Sequence, residues 1–318
     1  MNVRLPEALK RRIRALPQWA AIAMREPQEA VEIAMLAAGC EVNVTRASVV
    51  ASLRPFTLAI GLDERMSATI DGGHEPELRF TDSVSRRMVG VLKLRHARTE
   101  IAAGATIGFF EVRHGAHSCL REPYAQWNRW RQNRAMRKNR DPGNFSMPPE
   151  SVQNMMIFYI CPRPVVLVSV EDANHSNVFP MDLIGSISPD HFTLALRSTS
   201  QSVATMQSAR RVALSDIAGT DRAIAYRLGA HHKNVKVDWS SLPFGIKRTD
   251  NYSLPYPDSA LRVREVDILN VETIGSHTFF TTRIVSERSF GDSARLFHTS
   301  GIYQHYRSVT GRPLQPAA

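Results

Sequence analysis

The feature that most constrains the fold is a series of short predicted strands in the second half of the chain. These segments share runs of β-branched and aromatic residues separated by turn signals, and they are Val165–Val170, Asn177–Ile187, Phe192–Leu196, Arg210–Ile217, Leu261–Val271, Gly275–Ser286 and Phe297–Tyr306. Two short helices are predicted at 201–208 and 221–228. Many short strands with few helices predict a small closed or partly closed barrel. A doubly wound parallel sheet is disfavoured, because strand–helix–strand alternation and a Gly-rich first turn are both missing.

A polar cluster follows the strand Phe192–Leu196 directly. It contains one guanidinium and four hydroxyls, supplied by Arg197, Ser198, Thr199, Ser200 and Ser202. A strand that ends in such a cluster just before a helix suits an oxyanion such as a phosphate. The alternative is an ordinary capped helix start, because Ser and Thr are common at that position.

Composition places the chain among ordinary globular proteins. Its 318 residues can hold two domains or one large domain, and 43% are hydrophobic while 22% are charged. The formal net charge of +10 attracts anionic partners, and part of it is concentrated between Arg129 and Arg140. We favour a solvated basic helix as the interpretation of that segment. Three widely spaced cysteines do not form a disulfide framework, and no apolar run reaches the length of a membrane span. These features predict a reduced, cytoplasmic protein without a membrane partner.

The first half of the chain predicts a helical lead-in followed by strands. Helices are expected over Glu7–Leu16 and Pro27–Leu36 within a helical segment 5–40. Strands are then expected at Asn43–Val50, Pro55–Leu62, Arg87–Leu94 and Ala105–Val112. The sequence therefore predicts three parts: residues 1–120, a lead-in and β-rich domain; residues 121–150, a basic connector; and residues 151–318, a second β-rich domain.

Two further motifs have a structural and a functional interpretation. His114, His117 and Cys119 have the residue types of a zinc site, but no paired C-x-x-C supports one. We therefore predict structural roles and no metal. Trp127 and Trp130 lie among arginines and could stack on nucleic-acid bases. We favour the alternative, in which the tryptophans hold a basic helix against the body of the protein.

The order of motifs after Ile157 resembles the flavin reductase-like, FMN-binding split-barrel family. The resemblance covers about 157–307, and its motifs are Pro162-Arg-Pro-Val-Val-Leu-Val-Ser, Ser176-Asn-Val-Phe-Pro-Met-Asp, Ile187-Ser-Pro-Asp, Phe192-Thr-Leu-Ala-Leu-Arg, the cluster at 197–202 and Gly275-Ser-His-Thr-Phe-Phe. It implies a mainly β fold with short helices, in which a Greek-key split β-barrel binds FMN and dimerises. With the lead-in described above, the fold class is α+β, with an antiparallel β domain in the first half.

The resemblance also implies roles for individual residues. The positions that it places beside the flavin ring, partly through backbone groups, are Asn177, Val178, Pro180 and Met181. The positions that it places around the phosphate are Arg197, Ser198, Thr199, Ser200 and Ser202. His277 corresponds to the family's histidine near the ring or the pyridine nucleotide, and it is the candidate catalytic residue.

The function implied is that of an NAD(P)H-dependent flavin reductase. Hydride passes from NADH or NADPH to FMN, and a monooxygenase is one candidate partner for the reduced flavin. Because the flavin supplies the redox chemistry, no acid–base dyad is needed. A second hypothesis is a non-catalytic flavin- or ligand-binding regulatory protein whose basic first half contacts a partner or nucleic acid. A third is a related split-barrel oxidoreductase that uses F420 or pyridoxal phosphate.

A short repeat links the two halves of the chain. Phe56-Thr-Leu-Ala59 recurs as Phe192-Thr-Leu-Ala195, but Gly61-Leu-Asp63-Glu64 stands where Arg197-Ser-Thr-Ser200 follows the second copy. The two carboxylates would repel a phosphate. We therefore expect either a homodimer or an internal pseudo-dimer in which a degenerate first copy packs against the second, with one flavin site per chain.

Overall fold

The computed structural model describes residues 15–102, 104–138, 147–173, 175–234 and 236–318. Within these residues the chain is mainly β with short helices, as the sequence predicts. Every pair of named strands is antiparallel. None of the helices described is both long and apolar enough to cross a bilayer.

Two seven-stranded sheets form the body of the protein. The N-terminal sheet contains β2 (Val31–Ala37), β3 (Cys40–Asn43), β4 (Ser48–Leu53), β5 (Phe56–Leu62), β6 (Glu77–Asp82), β7 (Met88–Ala102) and β8 (Ala105–His117). The C-terminal sheet contains β10 (Val166–Glu171), β11 (Ser176–Met181), β12 (Ile184–Ser188), β13 (His191–Arg197), β14 (Arg211–Asp216), β17 (Arg262–Ile274) and β18 (His277–Ser289). Strands β1 (Trp19–Met24), β19 (Arg295–Ser300) and β9 (Arg163–Pro164) form a third sheet, and β15 (Ile246–Arg248) pairs with β16 (Pro255–Pro257).

Six α-helices accompany these sheets in the described ranges. They are α1 (Glu64–Asp71), α2 (Tyr124–Lys138), α3 (Pro149–Phe158), α4 (Gln201–Ala209), α5 (Arg222–Leu228) and α6 (Gly301–Val309). Helices α1 and α4 have equivalent places, because each joins the fourth strand of its sheet to the fifth. The Asp63 side chain caps α1 by accepting a hydrogen bond from the Met66 N–H at 2.7 Å, and Ser200 precedes α4.

The two large sheets have the same strand order. When strands are numbered along the chain within each sheet, both orders read 2-1-5-6-7-4-3. Pairing registers agree as well: Ala59 faces Phe109 across β5 and β8, and Ala195 faces Phe279 across β13 and β18. The predicted repeat Phe-Thr-Leu-Ala thus lies on the fourth strand in both sheets.

The same strands of each sheet pack against each other through small and branched apolar side chains. This buried cluster consists of Val49, Ala51, Ala59, Ala105, Ile107 and Phe109 from one sheet and Ile187, Ala195 and Phe279 from the other. Fully burying side chains of this kind contributes roughly 1.5–3 kcal/mol for each larger residue. This contact brings the turn after β4 close to the beginning of β18, where the candidate site lies.

The predicted helix over Pro27–Leu36 is wrong. Only Pro27–Glu29 form a short 3-10 turn, and Val31–Ala37 are strand β2. Residues in β2 alternate between buried and partly exposed, with Val31, Ile33 and Met35 inside. Pairing with β3 and β6 therefore overrides the helix propensity of Ala, Glu and Met. Most of the predicted helix Glu7–Leu16 lies outside the described residues.

The predicted strand Phe297–Tyr306 is correct only in its first part. Strand β19 ends at Ser300, and α6 begins at Gly301. A helix places Tyr303 and Arg307 on one face, where the Tyr303 hydroxyl and the Arg307 guanidinium both donate to the buried Asp82 carboxylate, at 2.7 and 3.2 Å. Asp82 belongs to β6, so these bonds join the C-terminal helix to the N-terminal sheet.

The division at 1–120, 121–150 and 151–318 stays a prediction, and contacts cross it in several places. Strand β1 pairs with β19. In the connector, the Asn128 side chain accepts from the Leu16 N–H at 2.8 Å, while Trp130 is 54% exposed. Apolar contacts also hold α2 in place, because Ala125 is buried in the hydrophobic core and Tyr124 and Met136 pack against it. The predicted helix end beyond Lys138 lies outside the described residues.

Candidate functional site

The candidate site begins where β13 and β18 meet at their ends. Arg197, the last residue of β13, faces His277, the first residue of β18. The neighbouring Ser198 donates its N–H to the Ser276 carbonyl at 3.2 Å and accepts from the Thr278 hydroxyl, also at 3.2 Å. Arg197 is exposed, whereas His277 is 1% exposed. The strand pairing thus places a guanidinium at the surface beside a buried imidazole.

The hydroxyl cluster continues from Arg197 into the first turn of α4. Ser198 and Thr199 are exposed, and Ser200 precedes the helix. The Ser200 hydroxyl oxygen is buried without a hydrogen-bond partner among the described residues. An orphaned buried hydroxyl between a guanidinium and a helix N-terminus fits an anionic ligand that would satisfy it. The donors present are therefore compatible with a phosphate group.

Asn177 connects strand β11 to this cluster. Its amide nitrogen donates to the Ser202 hydroxyl at 3.0 Å and also lies 3.0 and 3.1 Å from the carbonyl oxygens of His231 and Asn234. The His231 Nδ1 lies 3.0 Å from the Val178 carbonyl oxygen and donates to it. The amide of Asn177 and the carbonyl of Val178 are thus engaged within the protein. The side-chain oxygen of Asn177, Oδ1, is in contrast buried without a hydrogen-bond partner in the part of the chain that the structure describes.

The four predicted ring-side residues lie on both faces of β11. Met181 is buried in the core of the C-terminal sheet, together with Phe179. Val178 is buried in a different cluster, which includes Leu228 of α5. Pro180 is partly exposed. Successive residues of a strand point to opposite faces, so the side chains of Asn177 and Val178 cannot both face α4. Of these four described residues, Asn177 is the one whose side chain is hydrogen-bonded to the predicted phosphate cluster, at Ser202.

His277 is a neutral imidazole at ordinary pH. Burial and, to a lesser extent, the nearby charge of Arg197 lower its pKa to about 4. Its Nδ1 lies 3.5 Å from the Leu53 backbone nitrogen and 2.9 Å from the Ser276 hydroxyl. A backbone N–H can only donate, so Nδ1 accepts and the ring proton is on Nε2. His277 can therefore donate a hydrogen bond but cannot act as a cationic acid.

A turn from the N-terminal sheet completes this region. We name residues 52–55, the last two residues of β4 and the two that connect it to β5, the 52–55 turn. The Ser276 N–H donates to the Arg54 carbonyl at 3.0 Å, and the hydroxyls of Ser52 and Ser276 lie 3.4 Å apart. A Cβ on Gly275, whose φ is +54°, would lie 2.2 Å from the Arg54 carbonyl oxygen. Glycine thus allows the two turns to touch backbone to backbone.

Several residues of this region were missed by the sequence prediction. They are Leu53 and Ser276, which hold the His277 imidazole, and His231, which binds strand β11. The tripeptide Gly275-Ser-His gave a local signal for Ser276. Leu53 and His231 gave none, because their partners are more than fifty residues away in sequence.

The three zinc-type residues at the end of β8 have separate environments. The buried Cys119 thiol donates to the Val89 carbonyl at 3.5 Å, and burial raises its pKa. Burial and, to a lesser extent, the charge of Arg129 lower the pKa of His117 to about 4. His114 is exposed. No group of three metal-ligating side chains lies close enough to hold an ion within the described ranges.

The two buried histidines predict a pH-dependent stability. His117 and His277 have pKa values of about 4 in the fold against an ordinary 6.5, so the unfolded chain binds more protons between these values. We therefore expect their contribution to be complete above pH 6.5 and to be lost as the pH falls towards 4. The replacement His277→Asn, which keeps a hydrogen-bond acceptor, should flatten the slope. Urea unfolding at several pH values measures this, and an unchanged slope in the variant would contradict it.

A family described as flavin reductase like domain matches residues 158–306. The solved structures with similar folds include the FMN-binding protein from Thermus thermophilus with bound p-hydroxybenzaldehyde, with 21% identity over 44% of this chain and 83% of that chain and a TM-score of 0.39. Another is the Streptomyces globisporus C-1027 NADH:FAD oxidoreductase SgcE6, with 17% identity over 51% of this chain and 95% of that chain and a TM-score of 0.43.

BorF, the flavin reductase component of a bacterial two-component tryptophan halogenase, is similar at 17% identity, over 48% of this chain and 94% of that chain, with a TM-score of 0.43. No curated protein sequence matches the chain. Residues 158–306 therefore match the flavin reductase like domain family, which confirms the resemblance predicted from the sequence.

Proposed function

We propose that the protein is an FMN-binding oxidoreductase that accepts hydride from NADH or NADPH. The observation that carries this proposal is the convergence of Arg197, the hydroxyls that follow it and the neutral His277 at the joined ends of β13 and β18. The match of residues 158–306 to the flavin reductase like domain family supports the same activity. A bound flavin would supply the hydride-accepting chemistry, so the protein's task is to bind and orient it.

Each group in the cluster has a defined task in this proposal. Arg197 would hold the phosphate of FMN through charge-assisted hydrogen bonds, and the hydroxyls of Ser198, Thr199 and Ser200 would donate to its remaining acceptor positions. Ser202 already accepts from Asn177, so it holds the ring-side strand against α4. His277 donates from Nε2 and remains uncharged, which leaves Arg197 as the local cation of the pair.

A bound flavin, once reduced, would supply electrons to an acceptor outside the chain. Free flavin or a partner monooxygenase is the class of acceptor that this chemistry requires. The site needs no buried acid–base dyad for that step, because the flavin itself carries both electrons and the proton.

A second candidate function is a non-catalytic flavin- or ligand-binding protein that contacts a partner through α2. The observation in its favour is the exposed, basic surface of that helix, where Arg134 lies over the ring of the exposed Trp130 at 5.6 Å. Exposed aromatic and arginine side chains of this kind are common in contacts with nucleic acid or protein.

A flavin spectrum separates the two functions. We expect the purified protein, incubated with FMN and desalted, to retain the flavin absorption band and to lose it on anaerobic addition of NADH or NADPH. A protein that keeps its colour with both nucleotides would support the binding function. A protein that stays colourless and instead retards DNA, with a steep dependence on salt, would contradict flavin binding.

A further inference from the structure

The two large sheets are related as the two subunits of a symmetric dimer are. They share a strand order and the pairings Ala59 with Phe109 and Ala195 with Phe279. The equivalent residues Phe109 and Phe279 also contact each other, with ring centroids 5.4 Å apart in an edge-to-face arrangement. In an isologous interface, a residue that contacts the equivalent residue of the other subunit lies on the symmetry axis. The axis therefore passes between these two rings.

A charged pair on this axis distinguishes the arrangement from a homodimer. Arg98 pairs with Phe109 across β7 and β8, and Glu272 pairs with Phe279 across β17 and β18, so the two are equivalent positions. Their side chains form an ion pair with each other. In a homodimer such a position faces a copy of itself, and like charges would repel. Opposite charges on the axis are compatible only with two different halves.

The position equivalent to the candidate site is closed in the N-terminal sheet. Gly61 and Ile107 face each other where the C-terminal sheet has Arg197 and His277. A Cβ on Gly61 would lie 1.9 Å from the carbonyl oxygen of Ile187, so a larger residue cannot occupy the position. Asp63 caps the helix that follows, which places a carboxylate where the other half has hydroxyls. A carboxylate at this position would repel an anionic ligand.

We propose that the N-terminal sheet serves, within one chain, as the second subunit of the flavin site. The 52–55 turn is its contribution: Leu53 N–H holds Nδ1 of His277, and the backbone of Arg54 meets the turn at Gly275. One chain then forms one complete site and one closed site. The internal symmetry is independent of the ligand, while the count of one flavin per chain rests on the proposed function.

A charge exchange tests the internal interface without any flavin. Arg98→Glu brings a third carboxylate to Glu272 and Glu100, which already lie beside Arg98, and should lower the melting temperature by about 2–4 °C. The double variant Arg98→Glu/Glu272→Arg should recover most of that loss, and its mass should remain that of one 35.6 kDa chain. If mixing separate Arg98→Glu and Glu272→Arg chains restored stability in a two-chain species, the interface would lie between chains and the proposal would be overturned.

Titration with FMN at several protein concentrations tests the site itself. We expect one FMN per chain and an affinity that is unchanged between about 10 nM and about 10 μM protein, because a site within one chain does not dissociate on dilution. Ser52→Ala, which removes a hydroxyl between Arg54 and Ser276, should weaken FMN severalfold. An affinity that falls on dilution, or two FMN per chain, would overturn the proposal. If no FMN binds at all, the flavin function fails, while the charge exchange still decides the internal interface.

Discussion

Replacing Arg197 by alanine is expected to weaken FMN binding by about 1–3 kcal/mol, or roughly 5- to 150-fold. The guanidinium lies at the end of β13, directly before the exposed hydroxyls of Ser198 and Thr199. Loss of a charged donor to a phosphate leaves hydroxyls and backbone groups as the remaining donors. Titration of apoprotein with FMN, followed by the quenching of flavin fluorescence, measures the effect.

Two controls show whether the effect concerns the phosphate. Riboflavin lacks that group, so Arg197→Ala should change its affinity little. Arg227→Ala removes the same charge from an exposed position at the end of α5 and should leave FMN binding unchanged. Equal losses for riboflavin and FMN would mean that Arg197 contacts another part of the ligand, and no loss for either would place the phosphate elsewhere.

The substitution Gly61→Ala is expected to destabilise the protein by about 1–3 kcal/mol or more. A methyl group at this position would lie 1.9 Å from the Ile187 carbonyl oxygen, which is backbone and cannot rotate away. Relief requires the two sheets to separate, and that would disturb the buried cluster formed by residues such as Val49 and Ala195. The free energy of unfolding in urea gives the measure, together with the melting temperature.

Gly229→Ala is the matched control for this change. A Cβ at Gly229 meets no atom within 4 Å, and its φ of −56° is ordinary for alanine. We expect this variant to be at least as stable as the parent protein, because alanine restricts the unfolded chain. Equal stabilities of the Gly61 and Gly229 variants would show that the sheets can move apart at Ile187 without cost.

Local sequence patterns predicted most of the strands. They did not predict the strand pairings that determine whether an ambiguous segment becomes a helix or a strand. β13 and β18 could be predicted because β-branched and aromatic residues fill them. Pro27–Leu36 could not, because its Ala, Glu and Met residues favour a helix until pairing with β3 and β6 buries alternate side chains. Tyr303 and Arg307 likewise reveal a helix only through their shared partner Asp82, in another part of the chain.

The candidate site shows the same division between local and distant information. The cluster from Arg197 to Ser202 is contiguous, so its chemistry could be identified from sequence alone. The neutral state of His277 could not, because it depends mainly on burial in the folded protein. Its tautomer could not be predicted either, because the Leu53 N–H that donates to Nδ1 comes from the other half of the chain. The two faces of β11 also separate Asn177 from Val178, although the two are neighbours in sequence.

The ion pair between Arg98 and Glu272 has a consequence for how this protein can vary. In an assembly of two identical chains every substitution is present in both chains, so a residue on the symmetry axis must pack against an identical residue. In this chain each substitution changes only one of the two equivalent positions. Arg98 can therefore pair with a different residue, Glu272, at the equivalent position. The same freedom allows Gly61 and Ile107 to close one site while Arg197 and His277 keep the other. Joining the halves in one chain thus lets one of them specialise in support and the other in chemistry.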